Sequence, residues 1–250
     1  MLPRAKKRLF VAGFMQHTTR PKTPPKGRAR GSFCRGEHGF GASDAGVRID
    51  MAARRARRQK LLMGAKKLSE TMPINDITLA AVCEEAGIPR ASAYHFFPNI
   101  EAIFLALRFL NAIDILEILA TVETEDYDRW QGYLIALVKR CVEIFHDDET
   151  KAKLIYDTNT PDFEGDSFGE DMDHQVIELV HKRLSERYEM PDFDNIKEIL
   201  LVTYGIINAI FTLSYRRHAS ITEHYVQEAG TASIAYLRCY LPENLPRKEA

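Results

Sequence analysis

Cysteine is scarce in this chain and never paired in sequence: Cys34, Cys83, Cys141 and Cys239 are its four, with no C-x-x-C among them. That spacing excludes a zinc ribbon and offers no disulfide framework, so all four are read as free thiols. Tryptophan occurs once, at Trp130. No segment sustains the Val/Ile/Thr alternation of a strand, which excludes a sheet-based fold. No run reaches the roughly 18 consecutive apolar residues that a membrane-crossing helix needs. The opening "MLPRAKKRLFVAGFM" is interrupted too soon for a secretory leader. These two features place the expected location in the cytoplasm, away from any membrane. A glycine-rich phosphate loop and a nucleophile elbow are also missing, so no cofactor and no catalytic residue is expected.

What the chain does have is a charge imbalance that its net charge of -1 conceals. Residues 1–60 hold 16 Lys and Arg against three acids, a balance of +13, and the remainder stands at -14. A basic front on an acidic body suits a polyanion contact near the N-terminus. A solvated basic tail has the same composition.

Residues 1–47 are rich in Pro, Gly, Lys and Arg, as in "TTRPKTPPKGRARGSF", and have no apolar periodicity. They are expected to be a disordered basic tail. Met51 would also make a sensible start for the domain that follows, so residues 1–50 can be an upstream extension. From about residue 49 the pattern is helical nearly throughout. Helices are expected near 50–70, 78–85, 89–95, 98–121, 127–146, 150–157, 168–189, 193–217 and 221–240, with prolines at or beside their ends. The fold class is therefore all-α, divided into a helix-turn-helix domain at 48–97, a helical bundle at 98–242 and a C-terminal tail at 243–250.

The stretch "AGIPRASAYHFF", residues 86–97, carries the chemistry. Thr78 is a candidate N-cap for "LAAVCEEA", and Gly87 supplies the turn that ends that helix. Ile88 plugs the turn, and Pro89 is suited to a first helical position. "RASAYHF" then gives a short helix with small residues on one side and hydrogen-bonding groups on another. Phe96 and Phe97 are read as core. Such a pair of helices is a helix-turn-helix whose second member enters a major groove.

The longer string from Leu61 to Leu107 resembles the N-terminal domain of the tetracycline-repressor (TetR) family of transcriptional regulators. The matching features are Ala65 and Leu68 in the first helix, Thr78, the Ala86-Gly87-Ile88 turn, Tyr94 two places before an aromatic pair, and "EAIF" opening the fourth helix. The resemblance covers about residues 52–108. It implies a dimeric, ligand-responsive regulator, most simply a repressor, on a pseudo-palindromic double-stranded operator.

Carried over by residue, the resemblance implies that Thr78 caps its helix and contacts a phosphate and that Arg90 and Ala91 face base edges. Ser92, Tyr94 and His95 then touch backbone or bases. An arginine suits bidentate contact with guanine, whereas hydroxyls suit phosphate oxygens. Two departures matter. Pro89 stands where the family commonly has Ser or Thr, and Ile100 where it commonly has Lys. Arg54, Arg57 and Arg58, with Arg55, can restore phosphate contacts from the first helix or can form a solvated face.

Two further readings concern the bundle. "IKEILLVTYGIINAIFTLSYRR", residues 196–217, is apolar on nearly every side, and the helix near 221–240 has a stripe with small residues. Together the helices near 193–217 and 221–240 are expected to form a four-helix homodimer interface, with Ile207 within it. Between the head and that interface lie many aromatic and sulfur-bearing residues. Phe104, Trp130, Tyr133, Tyr156 and Met172, with His146 and His174, are the candidate lining of a pocket for a hydrophobic or aromatic effector. The rival reading is a di-metal carboxylate enzyme built on two Glu-x-x-His pairs, Glu143/His146 and Glu178/His181, with Glu117 or Glu198 as bridging ligands.

Overall fold

The computed structural model describes residues 44–157 and 167–248, with side-chain environments for 51–157 and 172–248. The chain forms two compact units, residues 1–54 and residues 55–250. Most of the basic tail lies outside the described residues. Every regular element among the described residues is helical, apart from one isolated bridge between Tyr188 and Arg247.

Helix α1 runs Asp44–Thr71, so it begins before the boundary expected at 48 and takes in the last residues assigned to the tail. It stops where Pro73 can no longer supply an N–H. A 3-10 turn, Ile74–Asp76, then tucks Ile74 inside. Helix α2, Leu79–Ala86, is capped by Thr78, whose Oγ1 accepts the Ala81 amide at 3.2 Å. It ends at Gly87 with φ +63°, and the Ile88 amide donates back to the Cys83 carbonyl at 2.9 Å. That closure needs a left-handed residue, which glycine adopts without a Cβ penalty.

Helix α3 is one turn, Arg90–Ala93, shorter than the expected 89–95. Pro89 is its N-cap and not its first helical residue, its carbonyl accepting the Ser92 and Ala93 amides at 2.9 and 3.1 Å. Helix α4, Ile100–Leu119, starts two residues after Pro98, because the Asn99 side chain accepts the Ala102 amide at 2.9 Å and fixes the start. The bundle adds α5 (Trp130–Asp147), α6 (Glu149–Tyr156), α7 (Ser167–Arg187), α8 (Ile196–His218) and α9 (Glu223–Leu237).

Two hydrophobic cores organise residues 55–250. The first surrounds the helix-turn-helix and contains Leu61, Ala65, Val82, Ala93 and Phe97. It does not end at 97: Ile103, Phe104 and Leu107 of α4 and Leu154 of α6 complete it. The boundary expected between 97 and 98 is thus no physical division, since α1 to α3 have too few apolar side chains to close a core alone. The second core joins α4 to α9 around Trp130, Tyr133, Leu184 and Phe211.

Two other expectations change. Residues 243–248 are no loose tail but the end of a strap. Leu241 and Leu245 are buried, the Glu189 amide donates to Pro246 O at 2.9 Å, and the Lys248 amide donates to Arg187 O at 3.0 Å. Helix α8, in turn, is long and apolar enough by length and composition to cross a membrane, although polar residues break its apolar run. Its inner side packs on the body core through Ile199, Leu200, Thr203 and Phe211. Its outer side leaves Val202 and Leu213 46% and 40% exposed, with Gly205 and Ala209 between them. Ile207 faces the body core and not this outer stripe.

Candidate nucleic-acid interface and interior polar network

The helix-turn-helix sorts its residues by burial as the local chemistry requires. Ala93 and Phe97 are buried and hold α3 against the head core, while Ser92 and Phe96 are half-buried. Arg90, Ala91, Tyr94 and His95 are exposed, Tyr94 by 59%. The single helical turn and the residues that follow it therefore expose a guanidinium, a methyl, a phenol and an imidazole. Thr78 is exposed too, with its hydroxyl already accepting from the α2 backbone.

The arginines of α1 divide. Arg57 is exposed, and so is Arg54, the last residue of the N-terminal unit. Arg58 is half-buried, with its guanidinium carbon 5.2 Å from the centroid of the Phe97 ring. Burial lowers its pKa from the usual arginine value. Arg58 is thus a packing cation that pins the end of the helix-turn-helix, a role that sequence spacing does not reveal because the contact joins residues 39 positions apart.

The seven residues expected to line an effector pocket are dispersed. Phe104 belongs to the head core. Trp130 lies at the far end of the body, where its Nε1 donates to Pro242 O at 2.9 Å. Tyr133 is fully buried nearby, its hydroxyl without a protein partner, and burial drives its pKa up. His146 and His174 are exposed; His146 Nε2 lies 3.4 Å from Ile221 O. Met172 is buried, and its sulfur accepts from Gln175 Nε2 at 3.6 Å. These residues share apolar or aromatic character, but their helices carry them to different levels of the bundle.

Only Tyr156 stands at a convergence of polar groups. Its ring packs edge-on against Phe145 and Phe211, with centroids 5.5 and 6.0 Å away. Its hydroxyl donates to Asn208 Oδ1 at 3.1 Å. Tyr204 is hydrogen-bonded to both Asn208 and Asp173, and burial raises its pKa. Cys141 is close by, its thiol pushed up to about 12 by burial. A tyrosine pair, an amide and a carboxylate thus link α6, α8 and α7 inside an apolar bundle. The sequence reading named Tyr156 and missed Asn208, Tyr204 and Asp173. The available signal was polar residues inside an otherwise apolar α8.

A cavity of about 830 Å³ is lined by Tyr156 together with Ser69 and Glu70 at the end of α1 and residues 215–219 at the end of α8. Its lining is mixed in charge, with Asp147, Glu149 and Asp157 as well as Arg216 and Arg217.

The two Glu-x-x-His pairs build no metal centre. Glu143 is exposed and paired with Arg140 at 2.7 Å, and Glu178 is exposed and paired with Lys197. Among the described residues no group of three or more His, Cys, Asp or Glu is placed to hold a metal ion.

The chain thus sets a short helix-turn-helix, capped at Thr78 and closed at Gly87, on a helical body. Residues 61–107 match the family model for bacterial regulatory proteins, tetR family. Among solved structures, a TetR-family transcriptional regulator from Streptomyces coelicolor is similar at 24% identity and TM-score 0.58, over 74% of this chain and 99% of that one. A TetR transcriptional regulator from Rhodococcus sp. RHA1 is similar at 13% identity and TM-score 0.55, over 74% and 97%. SmeT, the repressor of the Stenotrophomonas maltophilia multidrug efflux pump SmeDEF, is similar at 14% identity and TM-score 0.51, over 77% and 91%. At these identities the likeness is one of fold. No curated protein matches the chain.

Proposed function

We propose that this protein is a homodimeric repressor that leaves its operator when a small molecule binds in the body. The observation that carries the reading is the surface of α3. Helix α3 and the turn after it leave Arg90, Ala91, Tyr94 and His95 exposed to solvent while Ala93 and Phe97 are buried behind them. Arg90 is assigned to a guanine edge, Ala91 to a base edge, Thr78, Ser92 and Tyr94 to phosphates or bases, and His95 to either. Arg54 and Arg57 contribute phosphate contacts.

Dimerisation is assigned to the outer faces of α8 and α9. Val202, Gly205, Ala209 and Leu213 recur at helical spacing on one exposed side of α8, and a Cβ built on Gly205 would meet nothing within 4 Å in this chain. An apolar stripe with a gap in it suits a partner helix at close approach. Two copies joined there would place two reading heads about 34–36 Å apart on a pseudo-palindrome.

The effector is assigned to the neighbourhood of Tyr156, Asn208, Tyr204 and Asp173, which offers aromatic walls with a few polar anchors. That chemistry favours an aromatic or hydrophobic molecule carrying a hydrogen-bonding group. No cofactor is needed, and work on DNA puts the protein in the cytoplasm. Genome-wide footprinting, followed by titration of candidate effectors against free and operator-bound protein, tests the reading. A true effector binds the operator-bound dimer less tightly by the factor with which it weakens DNA binding. Equal affinity for both forms would remove the body from the switch.

A further inference from the structure

At the C-terminal end of α1 the helix supplies its own donors to Leu68 O, the Met72 amide at 3.0 Å and the Thr71 hydroxyl at 3.4 Å. Its last turn carries no basic residue. The carbonyl of Ser69 would ordinarily accept from the amide of residue 73, but that residue is Pro73 and has no N–H. The missing donor comes from α6. Lys153 Nζ donates to Ser69 O at 2.6 Å and to Met72 O at 2.8 Å. It also brings a positive charge to the negative end of the helix.

The same turn of α6 faces two ways. Leu154, 1% exposed, is part of the head core. Ala152 and Tyr156 are part of the body core, and the Tyr156 hydroxyl reaches Asn208. Just before α6, Asp148 pairs with Lys66 of α1 at 2.5 Å. Residues two apart on a helix lie on nearly opposite sides. An eight-residue helix therefore cannot withdraw Tyr156 from the body without also moving Leu154 within the head.

We propose that α6 is a detachable part of the reading head. When the Tyr156–Asn208 contact is broken, Leu154 and Lys153 leave with it, and the head loses a core side chain and the cap of its first helix. The head then loosens at residues 66–77. The proposal deepens the reading of the chain as a ligand-responsive regulator and rests on it.

Hydrogen exchange on the full chain, free of DNA, tests the device. Wild type, Asn208→Ala, Lys153→Gln and the double variant are compared on peptides covering 66–77 and 200–212. The cap predicts that Lys153→Gln raises exchange at 66–77 by about threefold or more through local opening. The coupling predicts that Asn208→Ala, on another helix, does the same, and that the double variant goes no further than Lys153→Gln alone. The proposal fails if Asn208→Ala alters 200–212 and leaves 66–77 unchanged, or if the two effects multiply. If Asn208→Ala does not fold, Tyr156→Phe, which removes only the hydroxyl, is read in the same way. A second arm measures binding to a duplex that the wild-type protein selects from a randomised library. Failure to select any duplex overturns the DNA-binding reading, whereas the exchange arm still decides the shared cap.

Discussion

The Trp130 indole nitrogen donates to the carbonyl of Pro242, 2.9 Å away, across 112 positions of sequence. The contact ties the strap at the end of the chain to the start of α5. Arg247 reinforces it through a 2.7 Å pair with Asp128. Trp130 is the chain's single tryptophan and is fully buried, so its fluorescence reports the strap directly. Removing residues 242–250 leaves a buried N–H without its acceptor and uncovers the Leu245 site. The expected outcome is a red-shifted emission and a loss of about 2–4 kcal/mol in denaturant unfolding, combining the orphaned donor and the lost apolar burial. Unchanged emission would show that the strap is not what shields Trp130.

Two arginines of the head are expected to separate in their effects. Arg90→Ala should weaken binding to the preferred duplex by about 1–3 kcal/mol and relax preference at one base position, with the melting temperature unchanged. Arg58→Ala should instead cost about 0.5–1 kcal/mol of stability, because its guanidinium lies over the Phe97 ring. Its effect on the salt slope of DNA binding should be smaller than that of Arg57→Ala, which is expected to lower the slope by about one. Binding isotherms at several salt concentrations, together with melting curves, distinguish the three.

Gly87→Ala isolates a backbone effect. A Cβ there would meet nothing within 4 Å, so no clash arises, yet φ is +63°. The expected cost is about 1 kcal/mol, purely conformational, with the affinity of the folded fraction for DNA preserved. A loss of several kcal/mol in chemical denaturation would mean that the turn has tighter neighbours than the geometry shows.

Asp148 gives the stability of the head–α6 joint a pH dependence. Burial opposes its ionisation, but hydrogen bonds from Lys66 and Thr150 and the charge of Lys66 outweigh it and hold the carboxyl below the usual aspartate value. A carboxyl lowered on folding stabilises the native state at pH above its unfolded value of about 4 and loses that contribution as pH falls through the folded value. Wild type minus Asp148→Asn should therefore show a difference of about 1 kcal/mol at pH 7 that vanishes in acid, the modest size reflecting a partly exposed pair. A difference that stays constant with pH would exclude the ion pair as its source.

The assembly reading is tested on the outer stripe of α8. Leu213→Glu should give monomers in sedimentation with the helical content retained, since Leu213 is 40% exposed in the single chain. Ile207→Glu is expected to unfold the protein instead, because Ile207 packs against the body core. A soluble Leu213→Glu dimer would move the interface elsewhere.

The sequence by itself determined the helices and the helix-turn-helix. Prolines, the Thr78 cap and Gly87 act over three or four residues, so the elements they start and stop are written locally. The alternation of small, apolar and polar residues from Ala86 to Phe97 fixed which side of α3 would be exposed for the same reason. It could not tell which arginine of α1 is free, because that depends on where Phe97 returns in space. It also grouped Phe104, Trp130 and Tyr156 by their shared aromatic character. Only the crossing of the helices sent Phe104 to the head core, Trp130 to the strap and Tyr156 to the polar network. Nor could the sequence phase α8: a helix apolar on nearly all sides gives no direction, and only the packing shows that Ile207 lies against the body core while Val202 and Leu213 stay exposed. Above all, Lys153 reads in sequence as an ordinary surface lysine. It becomes the cap of α1 because Pro73 left the Ser69 carbonyl without a donor, and the fold brought the two together across 84 residues.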